Sequence, residues 1–391
     1  MKIVVFGGLG SQGRGALLDL VNSAAVDEII CADANLDSWD SFAATVDTKK
    51  ITPIKIDASS TDVLIQLLRQ DVAAAIDLLP LKFMINAFEA AITAQVPLVS
   101  TNYAHPLRHL HQPALDAGVS LMPECGLDPG IDLVLFGYGV KQFDKVTELH
   151  SCCGGFPEKN ACNNPLNYKV TWNWDMVLTS SNRDSVFIKD GKTLFIPAAE
   201  QHNQNNTSKI NFSGLGELEA IPNGNAAIYM DMLGIADTIV ETTRYALRWP
   251  GWSDFWRPLK QLGFLSDEPL NVSGCKVIPR QFLSALIDPQ IQYKNTEKDI
   301  VAMQNIFEGI KDGQRKRLTM NLLIERDLES GLFAMNKGVG YPASIVAQML
   351  AEGKITRKGL LTPTIDIPAE DFIEELSKRG ITIDCDEQFL N

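Results

Sequence analysis

The sequence predicts an α/β fold: a Rossmann-like, doubly wound parallel sheet joined to a second α+β domain with a mixed sheet. Three observations predict it. Residues 1–35 read as strand, glycine-rich loop, helix and second strand in that order. Short apolar runs then alternate with helical stretches as far as residue 123. Beyond residue 140 that alternation stops, and strand pairs joined by Asp-Gly turns take over.

The opening run Lys2-Ile-Val-Val-Phe6 is apolar and β-branched, as a strand buried on both faces must be. Gly7-Gly-Leu-Gly-Ser-Gln-Gly13 follows, and Gly8, Gly10 and Gly13 fit G-x-G-x-x-G. Gly8 is expected to make the tight turn. Gly10 lets a pyrophosphate approach the backbone, and Gly13 lets the helix lie close to the strand. Leu9, Ser11 and Gln12 complete the loop, with the helix continuing over 16–21. The phosphates would then face free N–H groups at a helix start. A second strand over 26–32 ends in Asp33, twenty residues beyond Gly13, where a carboxylate accepts a ribose hydroxyl. No arginine follows Asp33 to hold a 2′-phosphate, so NAD is the expected cofactor and NADP the second choice. No Gly-Lys-Ser/Thr follows the glycines, which excludes a P-loop.

Further strands are expected over 51–56, 72–79, 97–101 and 119–123, with helices over 61–70 and 84–94. Ligands of such sheets sit beyond the carboxyl ends of the strands. That adds Asp57, Ala58, Leu78, Leu79, Pro80, Thr101 and Leu127 to the cofactor-binding candidates. His105, His109 and His111 cluster after the fifth strand, and 105 and 109 would share a helix face. No nearby acid or cysteine completes a ligand set, so a solvated helix is expected and no metal site.

In Glu124-Cys-Gly-Leu-Asp-Pro-Gly-Ile-Asp132, Asp128 suits a helix cap and Pro129 a first helical turn, with the helix over 131–140. A strand over 146–153 leads into a polar loop over 154–169. Lys189-Asp-Gly191 and Lys311-Asp-Gly313 each separate two strand-like runs, a hairpin signal. Helices are expected over 341–350 and 372–378.

The formal charge of −13 argues against a nucleic-acid backbone or an anionic membrane as partner. Seven cysteines without a C-x-x-C spacing point to reduced thiols in a cytoplasm. No apolar run is long enough to span a bilayer, and no basic, cleavable leader is expected. At 391 residues the chain has room for two domains.

Several segments together resemble the saccharopine dehydrogenase family, which includes lysine 6-dehydrogenases. They are Gly8–Gly13, Gly126-Leu-Asp-Pro-Gly-Ile-Asp132, Cys153-Gly-Gly-Phe-Pro157 and Asn164-Pro-Leu-Asn-Tyr-Lys169. Thr243-Arg-Tyr245 with Trp249-Pro-Gly251, and Gly340-Tyr-Pro-Ala343 with Gly353-Lys-Ile355, extend the likeness over almost the full length. The family's Gly-Thr-Leu-Arg-Tyr reads Glu241-Thr-Thr-Arg-Tyr245 here. The resemblance implies a nucleotide-binding domain of residues 1–127 and 338–391. It also implies a substrate-binding and dimerisation domain of residues 128–337.

The implied reaction moves hydride between a nicotinamide and a carbon bearing nitrogen of a lysine-derived amino acid. The amine must first lose a proton, and carboxylate, lysine or tyrosine can take it. Asp128, Lys169 and Tyr168 are the catalytic candidates. Arg244 is expected to clamp a substrate carboxylate. Cys153, Gly154, Asn164 and Asn225 are expected to line the pocket. Each has a plainer alternative: helix cap for Asp128, solvated lysine beside a core tyrosine for 169 and 168, surface arginine for 244, turn formers for 164 and 225. The expected substrate is saccharopine. Lysine, or a carboxynorspermidine-like polyamine precursor, is the alternative, and a nucleotide-binding regulatory protein is the non-enzymatic one. A homodimer is expected.

Overall fold

The computed structural model describes residues 1–390. The chain divides into two compact units. One comprises Met1–Tyr138 with Glu329–Thr382, and the other Gly139–Leu328 with the terminal segment from Ile383.

The first unit opens with β1 (Lys2–Phe6), α1 (Ser11–Asn22), β2 (Glu28–Asp33), α2 (Trp39–Ala43), β3 (Ile51–Lys55), α3 (Thr61–Leu68), β4 (Ala74–Asp77), α4 (Leu81–Ala94), β5 (Leu98–Ser100), α5 (His111–Asp116) and β6 (Ser120–Met122). Helix α6 (Ile131–Val140) leads out of it. The second unit carries β7 (Lys145–Pro157), α7 (Trp174–Ser180), β8 (Ser185–Lys189), β9 (Lys192–Ile196), β10 (Ser208–Phe212), β11 (Gly216–Pro222) and β12 (Glu241–Arg248). There follow α8 (Trp252–Gln261), β13 (Leu270–Val272), β14 (Cys275–Val277), α9 (Pro279–Ile287), β15 (Asp299–Lys311) and β16 (Gln314–Glu325). The chain then returns with α10 (Ala334–Ala351), β17 (Gly359–Leu360), α11 (Pro363–Asp366) and α12 (Ala369–Lys378), and ends in β18 (Ile383–Leu390).

In the first unit the strands run in the order β17-β6-β5-β4-β1-β2-β3, and every pair is parallel. The order reverses between β1 and β4, which sets the crevice where a ligand of such a sheet lies. The nearly all-apolar strands Lys2–Phe6 and Ala74–Asp77 occupy its centre, buried on both faces. Helix α10 packs on α1 through glycines: a Cβ at Gly15 would stand 2.2 Å from Asn336 O, and one at Gly340 2.5 Å from Ala16 N. The sequence places the start of this helix at 341. It starts seven residues earlier, where the Asn336 side chain accepts the Phe333 N–H at 3.0 Å. Residues 105–110 form a 3₁₀ turn, so His105 and His109 do not share an α-helical face. His111 Nδ1 accepts the Leu360 N–H at 3.1 Å and ties β17 down.

The second unit is built on a nine-stranded mixed sheet, with the path β10-β11-β12-β7-β15-β16-β18 and the β8–β9 hairpin attached to β12. β7 and β12 are parallel; the other pairs are antiparallel. Both Asp-Gly turns close hairpins, with Asp190, Gly191, Asp312 and Gly313 all at positive φ. The sequence assigns residues 338–391 to the nucleotide-binding domain, but β18 pairs with β16. Its acidic, exposed face (Asp384, Asp386) hides the strand period, as suits a protected edge. Lys316 reaches Glu387 across the pair at 3.0 Å. Among the described residues no helix is long and apolar enough to cross a membrane, and all seven cysteines are free thiols.

Candidate active site

In the first unit, β1 delivers the chain into Gly7, whose φ of +73° makes the tight turn. The sequence reading gives that turn to Gly8. The structure moves it one residue earlier, because a Cβ at Gly7 would also stand 2.6 Å from Leu78 O. Gly8 lies against Cys31 Sγ instead. Gly13 behaves as expected: a Cβ there would fall 2.3 Å from Gly7 O and 2.5 Å from Gly8 O. Gly10 is the extended N-cap of α1, and no side chain caps this helix. Its first N–H groups and positive dipole end therefore suit a phosphate. Gln12 buries an amide oxygen that no group among the described residues satisfies, which suits a ligand hydroxyl or N–H. A cavity of about 390 Å³ adjoins the loop, lined by Leu9, Gly10, Ser11, Arg14, Phe42 and Asn336 with neighbours. These features fit a dinucleotide.

Asp33 stands at the end of β2 as expected. Its Oδ2 accepts the Leu9 N–H at 3.0 Å and its Oδ1 the Asn35 N–H at 3.2 Å. Arg14 was not singled out from the sequence. Its Nε donates to Leu9 O at 3.1 Å, and its guanidinium lies 6.0 Å from the Phe42 ring. An arginine one turn into the helix is the signal that was available.

Asp57 and Ala58 follow β3. The Ser59 hydroxyl and N–H donate to Asp57 Oδ1 at 2.7 and 2.9 Å and hold its carboxyl below the usual range, while Ala58 O accepts from Asn86. Leu78, Leu79 and Pro80 follow β4, held by a residue the sequence reading passed over. Asp77 is fully buried, accepts the Leu79 N–H at 3.1 Å and the Ser100 hydroxyl at 2.8 Å, and burial pushes its pKa up to about 6. Thr101 lies beside Gly126, and Leu127 is buried in the same turn.

Asp132 lies in the first turn of α6, four residues after Asp128. Asp132 Oδ1 accepts the Gly130 N–H at 2.7 Å, while Asp128 sits half-buried in the turn before it. Burial pushes the Asp132 pKa up to about 7, with the buried Glu124 adding to the rise. Three acids, 124, 128 and 132, thus bracket one turn.

In the second unit, Lys169 is not solvated. It is buried and its Nζ meets Glu297 Oε2 at 2.6 Å, with the Tyr293 ring 5.9 Å away. Burial alone would raise the Glu297 pKa, but hydrogen bonds from Lys169 and the Lys294 N–H outweigh it and hold the carboxyl low. Tyr168 is a core residue: its ring lies 5.1 Å from Trp252 and 5.8 Å from Trp174, and burial raises its pKa. That makes it a poor proton acceptor at neutral pH. Asn164 is a turn former, donating to Tyr168 O at 2.8 Å and accepting the Leu166 N–H at 3.0 Å. Asn225 caps a 3₁₀ turn by accepting the Ala227 N–H at 2.9 Å. Gly154 is required by packing, since a Cβ there would stand 2.3 Å from Leu247 O of β12. Cys153, one residue before it on β7, is buried.

Arg244 lies buried on β12 with its guanidinium 5.8 Å from the Tyr229 ring. One turnover of the pattern later the sequence repeats it: Arg248-Trp249 after Arg244-Tyr245. Arg248 was missed from the sequence. It is buried against the rings of Tyr168 (5.2 Å) and Trp252 (5.0 Å), and its Nε has no hydrogen-bond partner among the described residues. Two buried guanidinium groups on one strand are an arrangement for anionic oxygens.

Comparison with known proteins accords with this geometry. Residues 3–122 match the saccharopine dehydrogenase NADP binding domain, and residues 126–381 the saccharopine dehydrogenase C-terminal domain. A saccharopine dehydrogenase [NADP(+), L-glutamate-forming] of Pyricularia oryzae is 28% identical across 100% of this chain and 99% of its own. A carboxyaminopropylagmatine dehydrogenase of Synechocystis is 22% identical over 95% of each chain. The apo saccharopine dehydrogenase (L-Glu forming) of Saccharomyces cerevisiae shares the fold, with a TM-score of 0.85, 23% identity and full coverage of both chains.

Proposed function

The chain belongs to the saccharopine dehydrogenase family of NAD(P)-dependent oxidoreductases acting on CH–NH groups, and we propose that its substrate is saccharopine and its preferred cofactor NAD. The bound nicotinamide would supply the hydride acceptor. Gly10, the N–H groups opening α1, Asp33 and the loop after β4 would hold the dinucleotide.

The observation that carries the substrate reading is the pair of buried arginines, Arg244 and Arg248, on β12. Saccharopine carries carboxylates at both ends, and the buried Arg248, whose Nε has no hydrogen-bond partner among the described residues, suits one of them. The secondary amine must be neutral before its C–H bond yields hydride. A carboxylate of the 124–132 turn is suited to take that proton, since burial tunes Asp132 to about 7. Lys169, locked to Glu297, is suited to fix charge rather than to shuttle a proton. Loss of hydride leaves an iminium. Water adds to it, the C–N bond breaks, and L-glutamate leaves with the nitrogen while the lysine-derived half departs as an aldehyde.

Asp33 favours NAD because a 2′-phosphate would meet its carboxylate. The same proposal assigns the first unit to the nucleotide, the second to the substrate and to a homodimer contact, and the protein to the cytoplasm. The test is the rate of NAD and NADP reduction with saccharopine and, separately, with L-lysine. Turnover of lysine alone would move the assignment to a 6-dehydrogenase.

A further inference from the structure

The cavity of about 390 Å³ beside the glycine loop has two walls. One is the loop and the first turn of α1, through Gly10, Ser11 and Arg14. The other belongs to the returning chain, through residues 330–333 and Asn336 in the first turn of α10. Both walls lie in the first unit. Arg14 is the one charged residue of the lining, which holds no acid. No side chain caps the twelve-residue α1, so its first N–H groups are left for a ligand. Asn336 adds an independent observation. It is 5% exposed, and its Oδ1 accepts the Phe333 N–H at 3.0 Å. That bond fixes the amide, because turning it over would set two donors face to face. The Nδ2 end is therefore a donor, and it is buried with no hydrogen-bond partner among the described residues. Burying an amide N–H without an acceptor is destabilising, and such groups are uncommon enough that each needs a reason. Arg14 Nε donates to Leu9 O at 3.1 Å, which holds the guanidinium beside the loop with its terminal N–H groups as further donors.

We infer that Asn336 and Arg14 bind a phosphoryl group of the dinucleotide, so that the first turn of α10 is part of the cofactor site. Asn336 Nδ2 donates to a phosphate oxygen. Arg14 balances its charge, and the N–H groups that open α1 complete the set. A cation, an amide donor and backbone N–H groups, with no acid among them, select an anion. The set recognises phosphate and leaves the adenosine ribose to other groups. It therefore serves NAD and NADP alike, and the choice between them stays with Asp33. Asp33 is not part of the cavity lining. The assignment rests on the dinucleotide as cofactor and on neither the saccharopine reading nor the preference for NAD.

The experiment is calorimetric titration of the full-length protein with NAD, NADP, ADP and adenosine. Wild type is compared with Asn336→Asp and Arg14→Gln. Asn336→Asp keeps an acceptor for the Phe333 N–H and replaces the donor with a carboxylate oxygen. Arg14→Gln keeps a donor for Leu9 O and removes the charge. The Kd for ADP, NAD and NADP is expected to rise roughly ten- to hundredfold in each variant, by the same factor for both dinucleotides. The Kd for adenosine, which has no phosphate, should stay within about twofold. If the buried charge unfolds Asn336→Asp, Asn336→Ala takes its place. Unaltered affinity for ADP in folded variants overturns the inference, because the side chains are then structural. Equal loss for adenosine and ADP overturns it as well, since the whole site has then been disturbed. Loss confined to NADP overturns it too, because the 2′-phosphate is then what the side chains hold. Wild type that binds none of the four refutes the cofactor reading itself, and the inference with it.

Discussion

Asp33 Oδ2 accepts the backbone N–H of Leu9 at 3.0 Å, so the carboxylate at the end of β2 is fastened to the middle of the glycine loop. One acid therefore shapes the loop and, in the proposed function, would face the ribose. Replacing it should alter cofactor choice more than fold. Asp33→Ser is expected to lower kcat/KM with NAD by roughly ten- to hundredfold and to raise it with NADP, because a charge-assisted bond is lost and a repulsion removed. Steady-state kinetics with both cofactors check this.

Gly13→Ala should abolish cofactor binding. Its methyl would lie 2.3 Å from Gly7 O, and the obstacle is backbone rather than a movable side chain. The start of α1 must shift, at a cost of about 1–3 kcal/mol. Nucleotide titration monitored by fluorescence measures the loss, and urea unfolding measures the cost.

Lys169→Met leaves the Glu297 carboxylate beside a buried site with no cation at 2.6 Å. Breaking one side of such a pair costs about 3–5 kcal/mol, whereas removing both in Lys169→Met with Glu297→Leu should recover most of it. The linkage has a definite sign. The folded pKa of Glu297 lies below its ordinary value of 4.5, so its contribution is present above pH 4.5 and fades as pH falls through the lower folded value. The urea midpoint of wild type should thus drop on acidification in that window, and that of the double variant should drop less.

Asp132 titrates in the opposite sense. Its folded pKa is pushed up to about 7 from 3.8, so the folded state holds the proton more tightly than the unfolded chain does. Stability from this group falls as pH rises from about 4 to about 7. Asp132→Asn keeps an acceptor for the Gly130 N–H and removes the titration. Its stability should vary less over that interval than wild type, as followed by melting temperature against pH.

Arg248→Met should raise the KM for saccharopine by roughly tenfold or more with little change in the KM for NAD. The Tyr168 and Trp252 rings that now flank the guanidinium would accept the thioether, so the variant is expected to fold. Parallel kinetics for both substrates decide it.

The first sheet was legible because its signals are local. β1, the glycine loop and Asp33 follow one another without interruption, and α6 has its expected bounds, 131–140. The tight turn moved from Gly8 to Gly7 because the strand ends one residue before the motif begins, and only the neighbouring Leu78 carbonyl shows which glycine is squeezed. Asn164 and Asn225 bond within their own turns, as asparagine beside Pro165 and Gly224 suggests. Lys169 and Tyr168 were visible as residue types, but their partners lie elsewhere. Glu297 is 128 residues from Lys169, and no spacing rule reaches that far. Arg248 was passed over because a buried polar residue on a strand reads like any exposed one until the register is known. The terminal strand was misplaced for the same reason: it joins a sheet whose other members lie far upstream.

The central claim is that this enzyme oxidises the secondary amine of saccharopine with Asp33 selecting NAD. The most direct measurement is the initial rate of absorbance at the reduced-nicotinamide band, with saccharopine as substrate and equal concentrations of NAD or NADP. The account predicts turnover with both L-glutamate and an aldehyde as products, and a kcat/KM for NAD above that for NADP. Turnover with NADP alone, or with L-lysine and not saccharopine, would contradict it.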